Sequence, residues 1–168
     1  MKNLKIVIIM PLFLVGFDLA SQTEGRFSFD IEKEKAAIKE TVNNETNCFW
    51  QADYDCWEKT WSHTQASSII YRDGLYETHS WESLSENNKN MFKDWDKIEG
   101  KIAREDHDNF NYYFMGELNV VVWFDAFLYE VTGNCIYAKC SRVLEKQGDY
   151  WRIVFATGIV DPKKPCQR

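Results

Sequence analysis

A chain of 168 residues, 45% hydrophobic and 27% charged with three prolines, has the size of one ordinary domain and enough apolar material for a core. Aromatic residues make up 15% of it, which excludes intrinsic disorder, and 26 Asp plus Glu against 20 Lys plus Arg leave a net charge of −6. That acidic balance argues against nucleic acid as a partner. Seven Trp, eight Tyr and eleven Phe exceed what a core of this size needs, and the surplus calls for an explanation.

The first segment, residues 1–21, reads as a secretory signal peptide. Lys2 and Lys5 form a positive start, Ile6 to Phe17 an apolar stretch, and Ala20 and Ser21 a small-residue cleavage site before Gln22. The apolar stretch falls short of the ~20 residues of a stable membrane span, so no membrane insertion is expected after cleavage. The expected location is secreted or periplasmic. Residues 22–29 then form a short leader, 30–160 the domain and 161–168 a loosely ordered tail with two prolines.

Asp30 is the candidate N-cap of a helix running to about Gln51. Ile31, Ile38, Val42 and Phe49 share one helical face, and Glu45 falls on that same face. A break at Ala52-Asp53 leads into a short second helix with Tyr54, Trp57 and Trp61 at helical spacing. Ser67 to Arg72 and Leu75 to Thr78 read as a hairpin around Asp73-Gly74, because glycine accepts the positive φ of a tight turn. A third helix begins at Ser80 or Ser83, carries Leu84, Asn88, Met91, Trp95 and Ile98 as a stripe, and stops at Gly100. Lys101 to Asn109 is charged and without period, which reads as a loop.

The period then changes to two. Asn109 to Met115, Asn119 to Val131, Cys135 to Lys146 and Tyr150 to Val160 are four strands of an antiparallel meander, separated by glycine-containing turns. Helices followed by a long antiparallel sheet make an α+β domain, with the helices on one face.

Five cysteines, Cys48, Cys56, Cys135, Cys140 and Cys166, leave at least one unpaired. Export would put them where pairing is allowed. Cys48 and Cys56 flank the helix break, which permits a bridge. Cys135 and Cys140 lie about 16 Å apart along one strand and cannot bridge without a turn. The pairing stays open at this level. No Cys/His spacing suggests zinc, and no metal or cofactor is expected.

The order of elements resembles the nuclear transport factor 2-like fold, also called SnoaL-like, over roughly Ile31 to Val160. Glu45-Thr46 with Phe49-Trp50 and Asp53-Tyr54 through Trp57 to Trp61 is similar to the family's opening helix pair. Trp61-Ser62-His63 resembles the step that follows it in secreted bacterial members. His79-Ser80-Trp81-Glu82-Ser83-Leu84 resembles the start of the third helix. Trp123-Phe124-Asp125, Ser141 to Lys146 and Trp151-Arg152-Ile153-Val154 are similar to the closing strands. The resemblance implies a cone-shaped, cystatin-like domain with three N-terminal helices on a curved antiparallel sheet, its open end admitting a ligand. Such folds serve isomerases, cyclases, dehydratases and hydrolases, and also binding and assembly modules, so fold leaves function open.

Asp125 lies in a strand apolar on both faces, with Val121, Trp123 and Phe127 on its own side and Val122, Phe124, Ala126 and Leu128 on the other. Its expected cation is Arg142, which alternates with Cys140 and Leu144 on a neighbouring strand. Asp125 reads either as an acid–base group on the cone floor or as half of a structural ion pair. Glu45 is the second candidate carboxylate, and His63, after the aromatic helix, is a candidate acid or base. Tyr71, Trp81, Tyr112 and Trp123 are candidate pocket walls, flat and apolar with polar tips. Glu105-Asp106-His107-Asp108 has the residue types of a metal site, but adjacent loop residues rarely converge on one ion, so a solvated turn is the reading. Asn44-Glu45-Thr46 matches a glycosylation sequon but lies mid-helix and is set aside.

The leading functional reading is an exported domain that binds a small apolar or ring-bearing molecule in an aromatic cone. One alternative is an isomerase, dehydratase or hydrolase with Asp125 or His63 as general base and Tyr71 or Tyr112 donating to an oxyanion. Another is a homodimerising or partner-binding module that uses Val122, Phe124, Ala126 and Leu128 as an outer sheet face.

Overall fold

The computed structural model describes residues 29–71, 76–97, 102–164 and 166, so the signal-like segment, the Asp73-Gly74 turn and the expected helix end at Ile98 and Gly100 lie outside the described residues. Helix α1 (Ile31–Trp50) starts at Asp30, whose carboxylate accepts from the Glu32 and Lys33 amides, and buries Ile38, Val42 and Glu45 along one side. Ala52, at φ 53°, turns the chain in the left-handed region, and Asp53 caps α2 (Tyr54–Glu58) by accepting from the Cys56 amide. Ser80, not Ser83, caps α3 (Trp81–Lys93). That helix ends at Asp94, earlier than the stripe through Trp95 implies. A short 3-10 turn (Trp95–Lys97) instead carries Trp95 against Phe49, Trp50 and Phe92.

Strands β1 (Ser68–Tyr71), β2 (Tyr76–Thr78), β3 (Ile102–Phe114), β4 (Asn119–Glu130), β5 (Cys135–Gln147) and β6 (Tyr150–Val160) form one curved sheet in the order β2-β1-β6-β5-β4-β3. The last four make the expected antiparallel meander. β1 joins it by pairing in parallel with β6, which brings the hairpin beside the chain's last strand.

Strand β3 corrects the reading of 101–109 as a loop, since the strand already begins at Ile102. The period was hidden by a bulge. Between Asp108 and Asn111 the register with β4 shifts, and Asn109 adopts φ 53°. Glu105 and His107 turn inward before the bulge; Phe110, Tyr112 and Phe114 turn inward after it. The inward positions change from odd to even, so no single alternation runs through the segment.

The two faces of β4 are also the reverse of the expectation. Val120, Val122, Phe124 and Ala126 are buried under the helices, whereas Trp123 is 44% exposed on the outer side. Both faces are apolar, so alternation alone could not say which one the helices cover. The core joins Ile38, Val42, Trp57, Trp61 and Leu84 from the helical layer to Val120, Val122, Leu144, Trp151 and Ile153 from the sheet.

Two disulfides close the structure. Cys48–Cys56 ties α1 to α2, and Cys135–Cys166 ties the tail to the start of β5; Cys140 is free and buried. Cys166 is thus tied covalently to β5, and the Asp161 amide donates to the Tyr137 carbonyl at 3.0 Å.

Candidate functional site

The C-terminal half of α1 and the inner sheet face enclose a cavity of about 280 Å³. Glu45, Thr46, Phe49 and Trp50 reach it from α1, since residues three and four apart share a helix face. Glu105 reaches it from β3, Leu128 from β4, Ala138, Cys140 and Arg142 from β5, and Gly158 and Val160 from β6. The three β5 residues line it together because alternate strand positions face one way. Trp95 and Phe92 pack edge-on against Phe49 and so back its aromatic wall.

An ion pair lies deep in this cavity. Arg142 Nη2 donates to Glu45 Oε2 at 3.2 Å, and the two side chains are 3% and 4% exposed. Trp57 Nε1 donates to the other Glu45 oxygen at 3.3 Å. Arg142 Nη1 donates to the carbonyls of Ser141 and Thr157, and the guanidinium lies 5.6 Å from the Phe124 ring centre. Two charges so far from water persist only when paired and further hydrogen-bonded, as these are. Beside them burial pushes the Cys140 thiol up to about 12, with the Arg142 charge acting the other way, so the thiol is a neutral part of the wall.

At the edge of the cavity Glu105 and His107 form a second buried pair, 9% and 3% exposed. His107 Nε2 lies 2.9 Å from Glu105 Oε1, and Nδ1 lies 2.9 Å from Asn43 Oδ1 on α1. Trp50 Nε1 donates to Glu105 Oε2 at 2.8 Å, so this carboxylate also holds the indole that walls the cavity. Glu105 and Thr46 border both this cavity and a polar groove of about 420 Å³ on the far side, which Lys39, Asn43, Asp106 and His107 also line. A carboxylate joined to an imidazole between an apolar chamber and a wet groove can accept, hold or pass a proton.

Of the residues singled out in the sequence, Glu45 and Arg142 line the cavity. They are each other's partners, whereas Arg142 was expected to pair with Asp125. Asp125 sits on the outer side of the sheet and pairs with Lys139 at 3.0 Å. It also accepts from Tyr137 Oη at 2.6 Å and Asn109 Nδ2 at 2.7 Å. Burial pushes the Asp125 carboxyl up, but these three hydrogen bonds and the Lys139 charge outweigh it and hold the group down at about 2. That is a structural carboxylate, permanently charged at neutral pH, away from the cavity.

His63 is exposed, bonds to the Glu58 carbonyl at 3.0 Å and stacks on Trp81 with ring centres 3.9 Å apart. Trp81 in turn stacks on Trp57, one layer behind the cavity. Tyr112 packs between Phe110 and Phe114, and Trp123 faces outward, so neither is a cavity wall. Tyr71 holds its register with Gly158 through the backbone; its side chain lies outside the described residues. Sequence reasoning missed Glu105, His107 and Asn43 as a set. The available signal was the odd-numbered alternation of Glu105 and His107, which the bulge at Asn109 interrupts.

Among the described residues no group of His, Cys, Asp and Glu has the geometry of a metal site, and no helix is long and apolar enough to cross a membrane. No protein-family model and no curated protein sequence matches the chain. Solved structures do match in shape. A protein of unknown function with a cystatin-like fold from Nostoc punctiforme superposes with a TM-score of 0.64 at 14% identity, covering 79% of this chain and 95% of that one. A nuclear transport factor 2-like protein of unknown function from Shewanella oneidensis gives 0.58 at 13% identity, with coverages of 74% and 98%. A hexachlorocyclohexane dehydrochlorinase, LinA type 3, from Novosphingobium barchaimii gives 0.59 at 14% identity, with coverages of 81% and 92%. Identities this low carry the architecture and nothing more. The chain therefore has the cystatin-like, nuclear transport factor 2-like fold, three helices laid over a curved six-stranded sheet.

Proposed function

We propose that this protein binds a small, largely apolar, ring-bearing molecule in the cavity between α1 and the sheet. The observation that carries the reading is an aromatic-walled chamber of about 280 Å³ at whose base a buried ion pair, Glu45–Arg142, offers a fixed polar contact. The volume sits near the lower end of ligand pockets, about 300–1,000 Å³, so it suits one or two fused rings. Thermal-shift screening against small aromatic and alicyclic compounds tests this, with Ala138→Phe as the comparison. Ala138 lines the chamber, and a phenyl group there occupies the space a ligand needs. Hits that stabilise the wild type and not the variant support the reading; hits that stabilise both equally overturn it.

Acid–base turnover is a second reading, favoured by the Glu105–His107 pair on the cavity edge rather than by Asp125 or His63. The dehydrochlorinase activity named for one structural neighbour belongs to that protein and supports only the fold's aptness for such work. Two further properties belong to the proposal. The N-terminal pattern of Lys2, Lys5 and the following apolar run, together with two disulfides, supports an exported protein, which fractionation of expressing cells tests. The exposed Tyr113, Trp123 and Ile159 on the outer sheet side support pairing of two chains through that face. Light scattering of the wild type and Trp123→Lys decides it, and a monomer in both sinks it.

A further inference from the structure

The groups around the cavity are unbalanced between hydrogen-bond acceptors and donors. Glu45 and Glu105 bring four carboxylate oxygens, each with one donor among the described residues: Trp57 and Arg142 on Glu45, His107 and Trp50 on Glu105. A carboxylate oxygen accepts about two hydrogen bonds, so all four keep capacity. The two Nη donors of Arg142 on the cavity side are already engaged. The Arg142 Nη atoms serve Glu45 and two backbone carbonyls, and the Cys140 thiol is a weak donor. Thr46 is 4% exposed and lines the cavity, and its hydroxyl has no hydrogen-bond partner among the described residues. A ligand that fits this surface supplies donors.

Charge points the same way. Glu45 and Arg142 cancel each other, which leaves Glu105 as the carboxylate whose balance depends on His107. Each imidazole nitrogen faces an oxygen, Glu105 Oε1 or Asn43 Oδ1. The imidazolium satisfies both by donating twice, whereas the neutral ring does so when the Asn43 amide turns its NH2 toward Nδ1. The pair is thus neutral in one state and singly negative in the other, with its contacts kept in both. The other charged groups nearby are Lys39 and Asp106 in the polar groove and the matched Glu45 and Arg142 in the cavity. The aromatic wall is Phe49 and Trp50, and an aromatic face attracts a cation.

Building on the cavity as a ligand site, we infer that it takes a ring-bearing amine, whose ammonium sits between Glu105 and the Thr46 hydroxyl. A carboxylic acid of the same shape would bring another anion to two carboxylates whose only cavity cation, among the described residues, is already paired. A neutral alcohol fits the shape but leaves the Glu105 charge unmatched.

Calorimetric titration of the whole protein with phenethylamine, 2-phenylethanol and phenylacetate tests the inference. Phenethylamine binds about tenfold or more tighter than the alcohol, the margin of a charge-assisted hydrogen bond, and phenylacetate binds weakest. Glu105→Gln removes the difference between amine and alcohol. Thr46→Val, which keeps the side chain's shape, reduces that difference. An alcohol that binds as tightly as the amine, a tighter phenylacetate, or a Glu105→Gln protein that still prefers the amine overturns the inference. If the alcohol binds without any advantage for the amine, the inference falls and the ligand cavity stands. If none of the three binds and the thermal-shift screen is also empty, both fall.

Discussion

Replacing Glu45 with glutamine isolates the energetic consequence of the buried ion pair. The two side chains have the same shape, and the amide oxygen of the variant can still accept from Trp57 Nε1, which lies 3.3 Å from Glu45 Oε1 in the wild type. What disappears is the negative charge 3.2 Å from Arg142 Nη2, at a site where the partners are 3% and 4% exposed. Breaking such a pair by removing one charge costs about 3–5 kcal/mol, because the other stays buried and uncompensated. The Ser141 and Thr157 carbonyls and the Phe124 ring continue to solvate the guanidinium, which places the expected loss near the lower end, about 3 kcal/mol. Urea unfolding followed by tryptophan fluorescence reads this as a lower midpoint at unchanged slope. Arg142→Met should cost a similar amount. The double variant Glu45→Gln with Arg142→Met should lose less than either single one, since no buried charge is left behind. A loss below about 1 kcal/mol for Glu45→Gln, the range of an exposed pair, would refute the account of a desolvated pair.

Asp125 gives a pH signature with a defined sign. Its carboxyl is held down from 3.8 to about 2, so the group contributes stability that is fully present above about pH 4 and is lost as the pH falls toward 2. The full contribution is about 2 kcal/mol, and Asp125→Asn should flatten the fall in stability over that window; an unchanged slope would contradict the Tyr137, Asn109 and Lys139 contacts. Titration with a chromogenic aromatic disulfide should find no reactive thiol in the native protein and one, Cys140, after unfolding without reductant, because burial raises the thiol to about 12. More than one thiol in the unfolded protein means the disulfides are not as described. Opening the Cys135–Cys166 link by a double change to serine, which frees a loop with a separation of 31 residues, should lower stability by about 3–4 kcal/mol in a denaturant titration.

Much of the architecture is legible along the chain because it rests on local chemistry. Asp30, Asp53 and Ser80 are caps because a short oxygen-bearing side chain reaches the free amides of a first turn, and the structure uses all three. The last three strands and the glycine turns between them follow from the change to period two, as does β3 beyond its bulge. Glu45 was found because it interrupts an apolar helical face, and Arg142 because it alternates with Cys140 and Leu144; both line the cavity.

Three decisions belong to the tertiary structure. The helices cover the Val122 and Phe124 side of β4, because packing chooses between two apolar faces that alternation cannot distinguish, and this carries Trp123 and Asp125 outward. The bulge at Asn109 resets the parity of β3, which sends Glu105 and His107 inward from a segment whose composition reads as solvated. Partners far apart in the chain, such as Glu45 with Arg142 and Cys135 with Cys166, meet only when the curved sheet closes against α1 and the tail folds back. Local sequence determined which side chains are unusual for their surroundings. The closed fold decided which of them face one another, since a side chain's partner is set by strand register and layer packing rather than by its neighbours in sequence.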